Sequence, residues 1–261
     1  VTAQLAQSPL PLVLLASLIA LFGSAELGRY LGGRASRRGA DTSSPTLESA
    51  MLGLLALMLG FTFSVALARY EARRDAVLKE ANAIGTTALR AVLLPSPHSE
   101  RVLAKLHDYL QLRLNLVPRA MTAAQVSAAI AQSNAIQEAI WQEVKNITVQ
   151  NQNTAFLNVF IIGLNEMIDD QENTVIAAQS HLPPSVLFTL YATAITAIFF
   201  SGYNRGLQQL RRHLPIYAMA TITAMIILLI QDLDRPRSGY IVTNLQPLAD
   251  AANNFPSQSQ P

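Results

Sequence analysis

Cysteine is absent from the 261 residues. That excludes disulfides, thiolate catalysis and Cys-based zinc sites, and leaves the compartment open. Charge is scarce: 14% of residues are Asp, Glu, Lys or Arg and the formal net charge is +2. No long basic run supplies a phosphate-binding face, so nucleic-acid binding is not expected. The four histidines, His98, His107, His181 and His213, are scattered without metal-ligand spacing, and no metal site is expected. Walker, G-x-S-x-G, H-E-x-x-H and dinucleotide signatures are also missing, so neither an enzyme nor a cofactor is expected.

Charge is missing most completely from four apolar stretches, residues 10–25, 50–68, 186–203 and 214–230. Each runs to about 16 to 19 residues, near the lower end of what crosses the hydrocarbon core at a rise of about 1.5 Å per residue. Lipid offers no partner for backbone amides, and continuous apolar runs lack the alternation of a barrel strand, so the stretches are expected to be membrane helices. Hydrophobic residues make up 51% of the chain and the mean hydropathy is +0.27, which fits a lipid-bilayer partner. Residues 1–9 hold no Lys or Arg, unlike the basic start of a signal peptide, so the first stretch is expected to be a retained helix.

The polar segments set the domain expectations. Residues 1–68 are a first transmembrane pair, joined by a flexible basic loop over residues 32–45. Residues 69–183 form a helical extramembrane domain continuous with helix two, which runs past Arg69 to about Leu94, where Pro95-Ser96-Pro97 stops it. Within it, helices are expected near 100–116, 123–149 and 154–180. Phe156, Phe160, Leu164, Met167 and Val175 recur at helical spacing in the last of these, predicting one buried face. Residues 184–231 are a second transmembrane pair, and 232–261 carry an Asp-Arg-Pro motif and a polar tail, expected to be mobile from Asn253 to Pro261.

Three groups of residues are functional candidates. In helix two, Ser49, Gly53, Ala56, Gly60 and Ser64 fall within about 80° of one another at 100° per residue. That stripe fits close helix packing. Beside it Leu57, Phe61 and Val65, with Leu54, form an apolar edge that would act as a dewetting constriction if several copies of helix two surrounded an axis. Glu26 lies near the end of the first stretch with Arg29 one turn on, so a local ion pair is expected, an ion-pathway carboxylate being the alternative. The third group is a charge cluster at the membrane face: Arg69, Arg73, Arg74 and Glu80 on helix two, with Asp232, Asp234 and Arg235 after helix four. Structural pairing is expected there, with Arg73 or Arg74 as partner of Asp234. The alternative is a calcium site, although calcium needs more oxygens than two aspartates supply.

The run Leu59-Gly60-Phe61-Thr62-Phe63-Ser64, the segment Ala68-Arg69-Tyr70-Glu71-Ala72-Arg73-Arg74, the run from Glu80 to Thr87, Leu89-Arg90, and the closing Asp232-Leu233-Asp234-Arg235-Pro236 with Gly239 resemble the bacterial bestrophin-like domain family of unknown function. The likeness spans almost the whole chain. It implies an all-α membrane protein, with four transmembrane helices in two pairs around a helical extramembrane domain. Bestrophins are pentameric anion channels, with a hydrophobic neck on the second membrane helix and a calcium-binding acidic cluster after the fourth. The resemblance therefore implies a homo-oligomer of about five copies that passes small anions, with Leu57, Phe61 and Val65 in the neck. Asp232 and Asp234, interrupted by Leu233, are a thin version of the acidic cluster. A membrane-anchored helical scaffold or sensor without a pore is the other reading, because a fold does not fix a function.

The chain is expected to be a multi-pass protein of the bacterial inner membrane. Arg29, Arg34, Arg37 and Arg38 follow helix one, and Arg205, Arg211 and Arg212 lie between helices three and four. The basic excess places both short loops in the cytoplasm and the extramembrane domain in the periplasm. Arg69, Arg73, Arg74, Lys79, Arg235 and Arg237 on the other face, and the bestrophin arrangement, argue the reverse. Alkaline phosphatase fused after Pro261 is expected to be active in intact cells. A green fluorescent fusion that lights up inside them would refute the periplasmic placement.

Overall fold

Proline marks where several helices begin, since its missing N–H costs nothing in the first turn and its fixed φ already suits a helix. A computed structural model describes residues 9–38, 45–116, 123–150, 155–209, 214–236 and 239–256. They form α1 (Leu10–Ser36), α2 (Pro45–Ala91), α3 (His98–Leu116), α4 (Ala123–Val149), α5 (Ala155–Gln179), α6 (Pro184–Leu207), α7 (Leu214–Leu233) and α8 (Gln246–Asn253). No strand occurs among the described residues. Pro11, Pro184 and Pro247 stand in the first turns of α1, α6 and α8.

Four segments contain a helix long and apolar enough to cross a membrane: α1, α2, Ala155–Leu207 and α7. Residues 180–183 divide the third into α5 and α6. By contact, the chain separates into one unit of Val1–Tyr70 with His181–Ile241 and a second of Glu71–Ser180 with Val242–Pro261. The 47-residue α2 contributes to both.

The first unit differs from expectation at the end of α1. Helix continues through Gly32-Gly33 to Ser36, where a flexible loop was expected; residues 39–44 of that loop lie outside the described residues. Packing supplies the reason. Gly28 and Gly32 of α1 face Gly202 and Gly206 of α6, each pair spaced four apart. A Cβ on Gly28 would meet the Phe199 carbonyl oxygen, one on Gly32 that of Tyr203, one on Gly202 that of Ala25 and one on Gly206 that of Arg29. Backbones this close exclude any side chain, as in small-xxx-small membrane packing.

Polar groups in the same unit are paired across helices, as an environment without water requires. Gln231 Nε2 donates to the Tyr191 hydroxyl at 2.8 Å. That hydroxyl lies 2.8 Å from Ser17 Oγ, which itself donates to the Val13 carbonyl at 2.8 Å. With one proton on each hydroxyl, the chain runs from Gln231 through Tyr191 and Ser17 and ties α7, α6 and α1 together. Glu48, in the first turn of α2, accepts from Ser201 Oγ at 2.5 Å and Asn204 Nδ2 at 2.8 Å. Around these bonds Leu21, Leu55, Ala66, Leu190, Ile198, Ala220 and Ile227 form an apolar core.

The second unit has its own core, including Ile84, Leu106, Leu110, Ile140, Phe160, Leu164 and Met167. The buried stripe of α5 runs Leu157, Phe160, Leu164, Met167, Gln171 and Thr174. Phe156, expected on that face, is exposed, and Val175 is only half-buried. Phe160, Leu164 and Met167 lie on the expected face; apolar spacing strayed only at its ends, taking Phe156 where Leu157 is buried and Val175 where Gln171 and Thr174 are buried through hydrogen bonds. Ahead of the tail, α8 buries Leu248, and within the tail expected to be mobile from Asn253, Phe255 instead packs edge-on against the His107 ring, 5.6 Å between centroids. Residues 257–261 lie outside the described residues.

Candidate pore-lining helix and the aspartate motif

Within one chain, the membrane portion of α2 is the least covered of the four spans: 17% of its most apolar window is buried, against 33% in each of the others. Leu55, Thr62 and Ala66 turn inward, and Thr62 Oγ1 donates back to the Met58 carbonyl at 2.7 Å. The opposite side is open. Ser49, Gly53, Ala56, Gly60 and Ser64 are all exposed, and a Cβ on Gly53 or Gly60 would meet nothing within 4 Å. Leu57 and Phe61 beside them are 66% and 60% exposed, Leu54 is exposed, and Val65 is half-buried. The chain thus leaves both the small-residue stripe and the apolar edge without a neighbouring helix of its own among the described residues.

On α1, Glu26 forms the expected local pair, accepting from Arg29 Nε at 2.9 Å and from Arg29 Nη2. The Tyr217 hydroxyl donates to its other oxygen. Pairing with a cation and a phenol is what makes a carboxylate tolerable near lipid.

The residues of the closing motif have separate structural duties. Asp232 is buried at the end of α7 and accepts the amides of Tyr240 at 2.7 Å and Ile241 at 3.1 Å, one on each carboxylate oxygen. Gly239 completes the cradle, since a Cβ there would collide with the Asp232 carboxylate. Asp234 Oδ1 accepts the Leu182 amide at 2.7 Å, and His181 Nδ1 lies 3.0 Å from the Asp234 carbonyl oxygen. One aspartate thereby holds the chain leaving α7 and the other the chain entering α6. Burial pulls the Arg235 guanidinium below the ordinary arginine value, and the Asp232 and Asp234 carboxylates act in the opposite direction without cancelling it.

These carboxylates do not fit a calcium ion. Amide hydrogens already point at both oxygens of Asp232 and at one of Asp234, Arg235 adds a positive charge beside them, and calcium takes about six to eight oxygens. No group of three or more His, Asp or Glu side chains converges among the described residues.

The remaining members of the expected charge cluster divide. Arg69 is half-buried, with Nε lacking an acceptor; Arg73 is buried and Arg74 exposed. Glu80 belongs to the core of the second unit. It is completely buried, accepting from Arg113 Nε at 2.5 Å and Nη2 at 2.8 Å. The buried Tyr109 hydroxyl lies 3.1 Å from Glu80 Oε1 and 2.8 Å from Gln171 Oε1, sharing its single proton between them. Gln137 Nε2 donates to the same Gln171 oxygen at 2.8 Å. Burial, with the Glu80 charge, raises the Tyr109 phenol well above its usual value, outweighing Arg113. For Arg113 burial acts downward but Glu80 prevails, and the guanidinium is held above its usual value. Tyr109, Arg113, Gln137 and Gln171 were not candidates on sequence. Their signal was there in Arg113 and Tyr109, one helical turn apart on the face that also carries Leu106 and Leu110.

The sequence model of the Bestrophin-like domain matches residues 14–248. The chain belongs to this family. Its fold is shared with crystal structures of a bacterial Bestrophin homolog from Klebsiella pneumoniae. One single-substitution variant superposes with a TM-score of 0.69 at 15% identity, covering 95% of this chain and 98% of that one. A second variant gives 0.67 at 15% identity over 95% and 98%, and the zinc-phased structure gives 0.64 at 16% identity over 94% of each chain. No curated protein matches. Across this bestrophin-like chain, the two aspartates are expected to act as backbone anchors. Asp232→Ala, which leaves two amides unpaired, should cost about 1–3 kcal/mol per buried group in detergent unfolding, with no shift in wild-type Tm on adding calcium. An unaffected Asp232→Ala protein together with a calcium-raised Tm would favour an ion site instead.

Proposed function

We propose that the protein is a homo-oligomeric membrane channel, a ring of about five copies passing small anions through a hydrophobic neck. The observation that carries this is the open side of α2: Leu57 and Phe61 exposed next to the exposed stripe of Ser49, Gly53, Ala56, Gly60 and Ser64. Lipid could cover the leucine and phenylalanine, but glycines and serines in register gain most from a second helix lying close against them. With that stripe against a neighbouring copy, the adjoining edge of Leu57, Phe61 and Val65 turns toward the axis. A ring of such side chains gates by excluding water from a narrow apolar constriction. Anion passage, rather than another solute, rests on the family likeness.

A membrane-anchored scaffold needs no such axis. Phe61→Ala is expected to widen the constriction and raise anion flux in reconstituted liposomes by roughly tenfold, the effect of lowering a barrier by about 1.4 kcal/mol, with assembly unchanged. Wild type and variant that are both silent to ion flux, in an intact preparation, would leave the scaffold.

A further inference from the structure

The exposed face of α1 changes from apolar at its start to basic at its end. Its exposed residues include Leu12, Leu15, Ile19, Leu27, Tyr30, Leu31 and Arg34, with Arg37 and Arg38 in the turn that ends the helix. At 100° per residue these lie on one side, opposite the buried Ser17, Leu21, Gly28 and Gly32. Leu12 and Tyr30 are separated by about 27 Å along the axis, close to the thickness of the hydrocarbon core. When Leu12 is near one edge of the hydrocarbon, Tyr30 is therefore at the opposite interface, where tyrosine's apolar ring and polar hydroxyl are both accommodated. Arg34 and Arg38 follow about 6 and 12 Å further along the same side, at headgroup depth.

Arg29 has Glu26, but among the described residues Arg34 touches only the Tyr30 hydroxyl, at 3.5 Å, and no carboxylate forms an ion pair with Arg34, Arg37 or Arg38. Three guanidinia without a counter-ion among the described residues thus stand at the end of an apolar, aromatic-edged surface. The helix C-terminus favours nearby cations, yet it satisfies neither their charge nor their planar donor forks, which match phosphate oxygens two at a time.

We propose that the Tyr30–Arg38 end of α1 binds the phosphate of an anionic phospholipid, with the acyl chains along Leu27 and Leu31. The exposed apolar surface continuous with the arginines favours a lipid over a free phosphate. The test uses the full chain in nanodiscs of dioleoylphosphatidylcholine mixed with an equal part of dioleoylphosphatidylglycerol, and measures by mass spectrometry which lipids stay bound. Phosphatidylglycerol should be retained preferentially, and the preference should fall by roughly fivefold for each of Arg34→Gln, Arg37→Gln and Arg38→Gln. Arg38, in the turn beyond the end of α1, lies outside the helix, so Arg38→Gln tests the idea without risk to folding. Inorganic phosphate added in excess should leave the bound lipid in place. A lipid ratio unchanged in Arg38→Gln and in the triple variant, or displacement of phosphatidylglycerol by inorganic phosphate, would overturn the proposal.

Discussion

Lipid gives a polar group nothing to bond with, and the first unit is arranged around that constraint. Every helix closes its own backbone ladder, and several polar side chains are bonded across helices: Gln231 to Tyr191 and Ser17, Glu48 to Ser201 and Asn204, and Glu26 to Tyr217, while Arg29 pairs with Glu26 along α1 itself. No hydrophobic driving force separates helix from lipid, so close approach has to come from shape. Gly28, Gly32, Gly202 and Gly206 supply it by letting α1 and α6 touch backbone to backbone. The same physics makes the open glycines of α2 informative, because Gly53 and Gly60 have the composition of a contact, yet among the described residues a Cβ on either would meet nothing within 4 Å.

The second unit faces a different problem. It buries a glutamate, an arginine and a tyrosine together, and a buried ion pair holds only where geometry and further hydrogen bonds offset desolvation. Two bonds from Arg113, with Tyr109, Gln171 and Gln137 arranged around the carboxylate, meet that condition. Nearer the start of α3, His98 is buried 2.9 Å from Glu143, with Arg101 3.7 Å from the same oxygen. Burial raises the Glu143 carboxyl, but His98, Arg101 and Lys105 together hold it below the usual range. The carboxylate's contribution is thus present at neutral pH and is lost as the pH falls through that depressed value.

Much of the fold could be read directly. Uncharged runs located the membrane helices, Pro95-Ser96-Pro97 ended α2 close to Ala91, and α4 lies on its expected residues. The misses share one cause. Gly32-Gly33 looks like a loop because glycine is a poor helix former in water, but a neighbouring helix can require it. Gln171 looks like surface because it is polar, but Tyr109 and Gln137 enclose it. Both depend on partners distant in sequence. The candidate site was legible to a similar degree: α2's two stripes were visible from 3.6-residue spacing, whereas Glu80's partner Arg113 and the amides held by Asp232 needed the tertiary structure.

The central claim is that copies of α2 face one another at Leu57. A chain without cysteine allows a direct test, since one introduced thiol is the only site of disulfide formation. Leu57→Cys, oxidised in membranes, is expected to give a disulfide-linked dimer on a denaturing gel, while Phe188→Cys, exposed on α6, stays monomeric. A Leu57→Cys protein that remains monomeric, or cross-links no better than Phe188→Cys, would contradict the account.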